Sequence, residues 1–295
     1  MKNIKLIQKV ESELEGRLSQ STVSTYMYSI KRFLNRYPRP KKVTLSMVES
    51  YFLVLKLNGK SVSYRNTLLA SIKALYDVLI ELNEIKEHPC SNFTIDENKP
   101  SGKDFGMLLT LEELELLLNV KEERYKYQSN KNKAIIGLLI YQGLTSQELV
   151  NLRLQDVDLD TGVVHIVGGG KNRDRSIELK PSQIGTLIKY IDTDRKQLLK
   201  SSTKNLFVTM RGVPMSVDGL HGFIEKLNGA IGKKVSPMII RNSVISYWLN
   251  VRKFPLEDVQ IMAGHRYPSS TEKYVHPDIV EQREALTSLH LKIFG

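Results

Sequence analysis

The amino-acid sequence predicts a mainly α-helical fold with a small antiparallel β-sheet, that is, an α+β protein. Its composition, with 41% apolar and 25% charged residues, is that of a globular chain. Apolar residues recur at helical spacing along most of the chain, and one segment shows the alternation of a β-hairpin. The length of 295 residues predicts about two domains.

Charge and cysteine content narrow the functional classes. Lys and Arg number 43 against 32 Asp and Glu, and the net charge of +11 favours a polyanionic partner, with nucleic acid the first candidate. A merely basic protein is the alternative. The single cysteine, Cys90, excludes intramolecular disulfides and cysteine-based zinc sites. The sequence shows no signal-peptide pattern and no apolar run of membrane-spanning length, so we expect a cytoplasmic protein without membrane contact.

The first 90 residues carry a net charge of +7 and show helical patterns. Apolar stripes predict helices over 22–37 and 61–82. Another helix is predicted to begin at Ser46, where Glu49 completes a capping box. The basic residues between and beside these helices form the candidate nucleic-acid contacts: Lys31, Arg32, Arg36, Lys41, Lys42, Lys60 and Arg65.

The composition changes after this helical region. Residues 89–106 mix Pro, Ser, Gly, Asn and Lys without periodicity, which is typical of a linker. We therefore predict a first domain over 1–95, a linker over 96–107 and a second domain over 108–295.

The second domain begins with helical signals. Thr110 and Glu113 form a capping box at the start of a helix. The almost wholly apolar run 134–141 predicts a buried helix. Thr145 or Ser146 is expected to open the next helix.

A β-hairpin is predicted next. The apolar segment 162–167 and the alternating segment 175–179 are separated by a turn-rich stretch, 168–174. The GGGK run at 168–171 does not match a phosphate-binding loop, because His165 replaces the required glycine and Asn172 the required Ser or Thr. A solvated turn is the alternative to a tip that reaches a phosphate. The cations of this tip are Lys171, Arg173 and Arg175.

Three residues near the C-terminus have a composite spacing that rarely arises by chance. Gly264 is a predicted helix C-cap, His265 follows it, and Tyr274 comes nine residues after His265. Alone, His265 is a loop histidine and Tyr274 a packed aromatic. Upstream, Arg241 lies in an otherwise apolar helix, where an arginine either extends to solvent or meets an anion.

Together with the spacing of Gly264, His265 and Tyr274, four further segments resemble the tyrosine recombinase (phage integrase) family. STVSTY (21–26) and IKRF (30–33) are similar to its core-DNA-binding domain, LTLEEL (109–114) to the start of its catalytic domain, and GLTSQELVNL (143–152) to the segment around its first catalytic arginine. The resemblance covers nearly the whole chain, as in the simple two-domain members. It implies a helical core-DNA-binding domain and a catalytic domain that form a C-shaped clamp around duplex DNA.

The resemblance also implies a reaction. Tyr274 would attack a scissile phosphodiester and form a 3′-phosphotyrosyl bond. Arg241 and His265 would stabilise the charge on the non-bridging oxygens, and Lys171 would protonate the leaving 5′ oxygen. The energy of the backbone bond is conserved, so neither a metal nor another cofactor is expected.

The chain departs from the family at two catalytic positions. Thr145 stands at the position of the first arginine, and Met238 at that of the histidine three residues before Arg241. Asn242 stands where His or Lys is often found. Thr145 supplies no cation and Met238 exchanges no proton, and each lost donor costs about 3–4 kcal/mol.

A substitute cation would reconcile these departures with activity. Some family members from mobile elements lack the first arginine and still recombine. Arg173 or Arg175 of the hairpin is the hypothesised substitute here.

The predicted function is that of a site-specific recombinase or integrase of a mobile genetic element, acting on double-stranded DNA. We expect a homo-tetramer on DNA, with the apolar tail 278–295 donated to a neighbouring subunit. In the absence of DNA we expect a monomer or a weak oligomer. A partner recombinase or accessory protein is a further expectation. The alternative is a catalytically weakened or inactive DNA-binding accessory protein, which Thr145 and Met238 favour. The spread of motifs disfavours an unrelated helical DNA-binding regulator.

Overall fold

The computed structural model describes residues 4–97, 105–119, 126–170, 172–200 and 202–276. The chain divides into two compact units, Met1–Ser101 and Gly102–Gly295. The described residues are mostly helical and include one three-stranded antiparallel sheet, which confirms the predicted fold class. Within the described ranges, no helix combines the length and the apolar character needed to cross a bilayer.

The described part of the first unit contains helices and connecting segments but no strand. Its helices are α1 (Ile4–Glu15), α2 (Gln20–Arg36), α3 (Leu45–Leu57) and α4 (Val62–Glu81). The apolar faces of α2 and α4 meet in a core where Phe33 and Tyr76 are fully buried with their rings in a T-shaped arrangement. The predicted helices correspond to α2, α3 and α4, whereas α1 was not predicted.

The predicted start of α3 was wrong. Thr44, not Ser46, caps this helix, since its side chain accepts a hydrogen bond from the backbone N–H of Met47. Val43 and Val48 flank the cap and belong to the same buried cluster. Such a pair of apolar residues around an N-cap fixes the point of helix entry, so the chain selects the hydroxyl between them.

The second unit combines ten helices, counted over its described residues, with the sheet. Its elements are α5 (Leu111–Asn119), α6 (Lys126–Tyr141), α7 (Ser146–Asn151), β1 (Val157–Asp158), β2 (Val163–Ile166), β3 (Arg175–Glu178), α8 (Pro181–Lys189), α9 (Arg195–Leu198), α10 (Val217–Glu225), α11 (Asn228–Ile231), α12 (Pro237–Asn250), α13 (Leu256–Ala263) and α14 (Ser269–Glu272). The apolar helix α6 packs against α8 and α12 at the centre of the core. The predicted capping box of Thr110 and Glu113 is present at α5.

The sheet has the order β1-β2-β3 with antiparallel pairs, which confirms the predicted hairpin of β2 and β3. The two-residue strand β1 was missed because it is too short to show alternation. Ile166 pairs with Arg175, and Ile166 lies on the buried face of β2. Because paired residues share a face, this register directs the Arg175 side chain into the protein.

Candidate active site

Arg241 is a buried cation at the centre of the candidate site. It lies in α12 with its side chain 4% exposed. One terminal nitrogen donates to the carbonyl of Gly143, after α6, and Nη2 donates to the carbonyl of Ala263, at the end of α13, at 2.6 Å. Burial lowers the pKa of Arg241 to about 10, although the negative charge of Glu148 raises it. Two of its five N–H groups are thus used by carbonyls that fix its orientation.

Glu148 is a buried anion that gathers the polar groups of this region. Arg175 donates to its two carboxylate oxygens at 2.7 and 3.1 Å, and Asn172 donates to Oε1 at 2.9 Å. Arg241 lies 3.9 Å from Oε2. Burial opposes the ionisation of Glu148, but the hydrogen bonds and charge of Arg175, the backbone N–H of Thr145 and the charge of Arg241 lower its pKa to about 2. Glu148 therefore stays charged and links two arginines.

Thr145 serves as the N-cap of α7. Its Oγ1 accepts from the backbone N–H of Glu148 at 3.2 Å, and its own N–H donates to the Glu148 carboxylate at 2.8 Å. Of the two predicted helix openers, Thr145 is the one used. The residue that was predicted to replace the first catalytic arginine is thus a helix-capping residue.

The hairpin is joined to the loop after α13. The N–H of Arg173 donates to the carbonyl of Gly264 at 2.7 Å, and Asn172 pairs with His265 as an isolated β-bridge. Gly264 has φ +71° as the C-cap of α13, which agrees with the predicted cap. A Cβ on Gly264 would lie 2.6 Å from Nη1 of Arg175, so a glycine lets the hairpin approach.

The two hairpin arginines have different environments. Arg175 is buried and bound to Glu148, whereas the side chain of Arg173 is exposed beside the His265 loop. Lys171 and the tail 278–295 lie outside the described residues, so the role of each stays a prediction.

Tyr274 and His265 are neighbours in the folded chain. Their rings are nearly parallel, at 16°, with centroids 6.1 Å apart. Nδ1 of His265 lies 2.9 Å from Oγ1 of Thr271. The hydroxyl of Tyr274 donates to Oδ1 of Asn242 at 2.7 Å, and the residue is 5% exposed. Asn242 directly follows Arg241 in α12, and Arg241 donates to Ala263, two residues before His265, so the structure brings together three of the predicted catalytic residues.

The backbone around Tyr274 is attached to α12 by Asn250. Nδ2 of Asn250 donates to the carbonyl of Tyr274 at 2.8 Å, and its Oδ1 accepts from the N–H of His276 at 2.8 Å. The sequence analysis assigned no role to Glu148, Asn172 or Asn250. Amide side chains within the apolar pattern of α12 were the available signal for Asn250 and Asn242.

Met238 lies in the first turn of α12, two residues after the capping Ser236, and is 56% exposed. A thioether there neither donates nor accepts a proton near Arg241. The residue that was predicted to replace the family histidine therefore supplies no acid–base group.

The candidate nucleic-acid contacts of the first unit differ in accessibility. Arg65 is buried and donates to both carboxylate oxygens of Glu97 at 2.9 and 2.6 Å, which lowers the pKa of Glu97 to about 2. Its guanidinium is thus committed to an internal ion pair. The other six are exposed: Lys31, Arg32, Arg36, Lys41, Lys42 and Lys60. Of these, Lys41 pairs with Glu84.

Sequence comparison finds relatives along nearly the full chain. Residues 108–280 match the model of the phage integrase family. The tyrosine recombinase XerD of Halalkalibacterium halodurans is 27% identical over 287 residues, which cover 94% of each chain. The tyrosine recombinase XerC of the same organism is 26% identical over 276 residues, covering 90% of this chain and 89% of XerC.

Structure comparison finds the same fold in solved complexes. The XerH recombinase in a post-cleavage complex with its palindromic difH substrate has a TM-score of 0.71 and 22% identity, covering 90% of this chain and 79% of that one. The Tn1549 transposon integrase in complex with circular intermediate DNA has a TM-score of 0.69 and 21% identity, covering 95% and 98%.

Proposed function

Because this chain belongs to the phage integrase family, we propose that it is a site-specific DNA recombinase that cleaves and rejoins strands through a 3′-phosphotyrosyl intermediate. The observation that carries this proposal is the meeting of the Tyr274 hydroxyl, the His265 ring and the buried Arg241 in one site. A phenol beside a fixed cation and an imidazole suits attack on a phosphodiester.

In this reaction Tyr274 supplies the oxygen that attacks phosphorus, and the leaving group is the 5′ oxygen of the next nucleotide. Arg241 is already oriented by two carbonyls, so its remaining N–H groups stabilise the phosphate charge without reorganisation. His265 provides a further hydrogen bond to that phosphate. Lys171 is the proposed acid for the leaving oxygen.

We assign different tasks to the two hairpin arginines. Arg175 neutralises Glu148 from 2.7 Å, which leaves the charge of Arg241 available to the phosphate. Arg173 is exposed, and its backbone is fixed on Gly264 beside His265. Arg173 is therefore the proposed cation that substitutes for the arginine missing at Thr145.

Double-stranded DNA is the proposed substrate, contacted by the exposed cations of the first unit. The solved relatives XerH and the Tn1549 integrase are DNA complexes, which supports this partner. Origin in a mobile element, a homo-tetramer on DNA, the trans-packed tail 278–295 and cooperation with a partner recombinase belong to the same proposal. The alternative of an inactive accessory protein is not favoured, because the relatives XerD and XerC are named tyrosine recombinases.

Covalent capture tests the proposed reaction. The full-length protein is incubated with nicked duplexes of random sequence, and DNA that stays attached after denaturation is amplified and selected again. A nick lets the cleaved fragment diffuse away, which traps the adduct. We expect the native protein to enrich a discrete site and to form an adduct that Tyr274→Phe abolishes.

Two outcomes contradict the proposal. Reversible DNA binding without any covalent adduct would support the alternative of an inactive accessory protein. An adduct that persists in Tyr274→Phe would assign the nucleophile to another residue.

A further inference from the structure

The hydroxyl of Tyr274 has a specific partner in α12. It donates to Oδ1 of Asn242 at 2.7 Å, the usual length of a strong O–H···O hydrogen bond. Asn242 is half-buried and directly follows Arg241 in the helix. The candidate nucleophile is therefore bound to the residue next to the candidate phosphate-binding arginine, on the same helix.

We propose that Asn242 is a positioning residue for the nucleophile, an inference that rests on the proposed function. Its amide oxygen accepts the hydrogen bond of the Tyr274 hydroxyl, which fixes the phenolic oxygen against α12, the helix that carries Arg241. Holding a reacting atom in the orientation of attack supplies a large share of a rate enhancement.

The chemistry of an amide limits this role to orientation. In the cleavage step the bond from Tyr274 to phosphorus forms, the bond from phosphorus to the 5′ oxygen breaks, and the phenolic proton leaves. An amide oxygen accepts a hydrogen bond but takes no proton at neutral pH. The phenolic proton is therefore held at Asn242 only until the bond to phosphorus forms, and it is then released to solvent water.

A second asparagine on the same helix fixes the other end of the nucleophile. Asn250 holds the carbonyl of Tyr274 and the N–H of His276, each at 2.8 Å. Eight residues separate Asn242 from Asn250, which places them about two helical turns apart near one face. With both the hydroxyl and the backbone held by α12, loss of Asn242 removes the hydrogen bond to the hydroxyl and leaves the segment attached through Asn250.

Two variants of matched size test the role of the acceptor. Asn242→Leu removes the acceptor, and Asn242→His offers a neutral ring nitrogen as acceptor at pH 8, above the ordinary histidine pKa. On the nicked duplex selected by the native protein, Asn242→Leu should slow adduct formation at saturating DNA by about tenfold or more, with an unchanged Kd for the duplex. Asn242→His should stay within about threefold of the native rate, since the hydrogen bond is restored.

A native-like rate in Asn242→Leu overturns the inference, as does an equal loss in Asn242→Leu and Asn242→His. In both cases a native adduct that depends on Tyr274 keeps the proposed function intact. A native protein without such an adduct overturns the proposed function and this role together.

Fluorine NMR of the protein with 3-fluorotyrosine checks the hydrogen bond without DNA. The resonance that Tyr274→Phe removes should shift in Asn242→Leu, and an unshifted resonance overturns the inference.

Discussion

Arg175 holds Glu148 by two hydrogen bonds in the interior of the second unit, at 2.7 and 3.1 Å, with both side chains almost completely buried. The carboxylate belongs to the helix that Thr145 caps, and the guanidinium belongs to the hairpin. This ion pair therefore joins the helix that begins at Thr145 to the hairpin that carries Arg173, the proposed substitute cation.

Replacement of Arg175 by methionine should destabilise the second unit by about 3–5 kcal/mol, because the buried Glu148 carboxylate loses both guanidinium hydrogen bonds and keeps only Arg241, at 3.9 Å, as a nearby cation among the described residues. Urea unfolding at pH 7 measures the change in free energy. The double variant Arg175→Met with Glu148→Gln removes both charges and should recover most of that loss. Equal instability of the single and double variants would show that the unpaired charge is not the cause.

The same pair makes stability depend on pH. The folded pKa of Glu148, about 2, lies below its ordinary value of 4.5. Its contribution to stability is therefore fully present above about pH 4.5 and is lost as the pH falls toward 2. Over that window the free energy of unfolding should fall more steeply in the native protein than in the double variant. Parallel pH curves would assign the acid sensitivity to other carboxylates.

Arg173→Ala should reduce adduct formation by about a hundredfold or more while duplex binding survives, because it removes a cation from the phosphate. The measurement is the single-turnover rate on the nicked duplex. Arg211→Ala is the matched control, since Arg211 is also an exposed arginine of the second unit. An unchanged rate in Arg173→Ala would remove this residue from the catalytic set.

A return of the first arginine should compensate for that loss. Thr145→Arg in the Arg173→Ala background is expected to raise the cleavage rate, at a cost of about 1 kcal/mol for the lost helix cap. Thr145→Leu loses the same cap without adding a charge and should not raise the rate. Rescue by both variants would mean that charge is not the missing element.

Gly264→Ala should destabilise the protein more than Gly232→Ala. Both glycines have φ +71°, so both substitutions strain the backbone by about 1 kcal/mol. A Cβ at Gly264 would also meet Nη1 of Arg175 at 2.6 Å, whereas a Cβ at Gly232 has no neighbour within 4 Å among the described residues. Unfolding free energies compare the two, and an equal loss would exclude hairpin packing as a reason for glycine at 264.

The exposed and buried cations of the first unit should respond differently to substitution. Lys31→Ala or Lys42→Ala should reduce the slope of log K against log salt by about 0.9 for each phosphate contact removed. Arg65→Ala should instead lower the unfolding midpoint, because Arg65 is bound to Glu97. DNA titrations over a range of salt concentrations separate the two effects. An altered salt slope with unaltered stability in Arg65→Ala would place that side chain on the DNA.

Local signals made much of the fold predictable. The helical stripes of α2 and α4, the capping box at Thr110, the start of α7 at Thr145 or Ser146, and the C-cap at Gly264 depend on residues within one or two turns of each other. The spacing of Gly264, His265 and Tyr274 likewise lies within one short segment. The choice of Thr44 over Ser46 was missed because a buried apolar pair, not the hydroxyl itself, decides it.

By itself, the sequence determined the α+β class, the hairpin, the candidate residues for the proposed chemistry and the absence of a cation at Thr145. Only the tertiary structure decided which of those residues are held and which are accessible. The hydrogen bonds of Arg241 to Gly143, of Tyr274 to Asn242 and of Arg175 to Glu148 span 98, 32 and 27 residues. Periodicity and spacing report only neighbours along the chain, so contacts of this range exist solely once packing has brought the helices and the hairpin together.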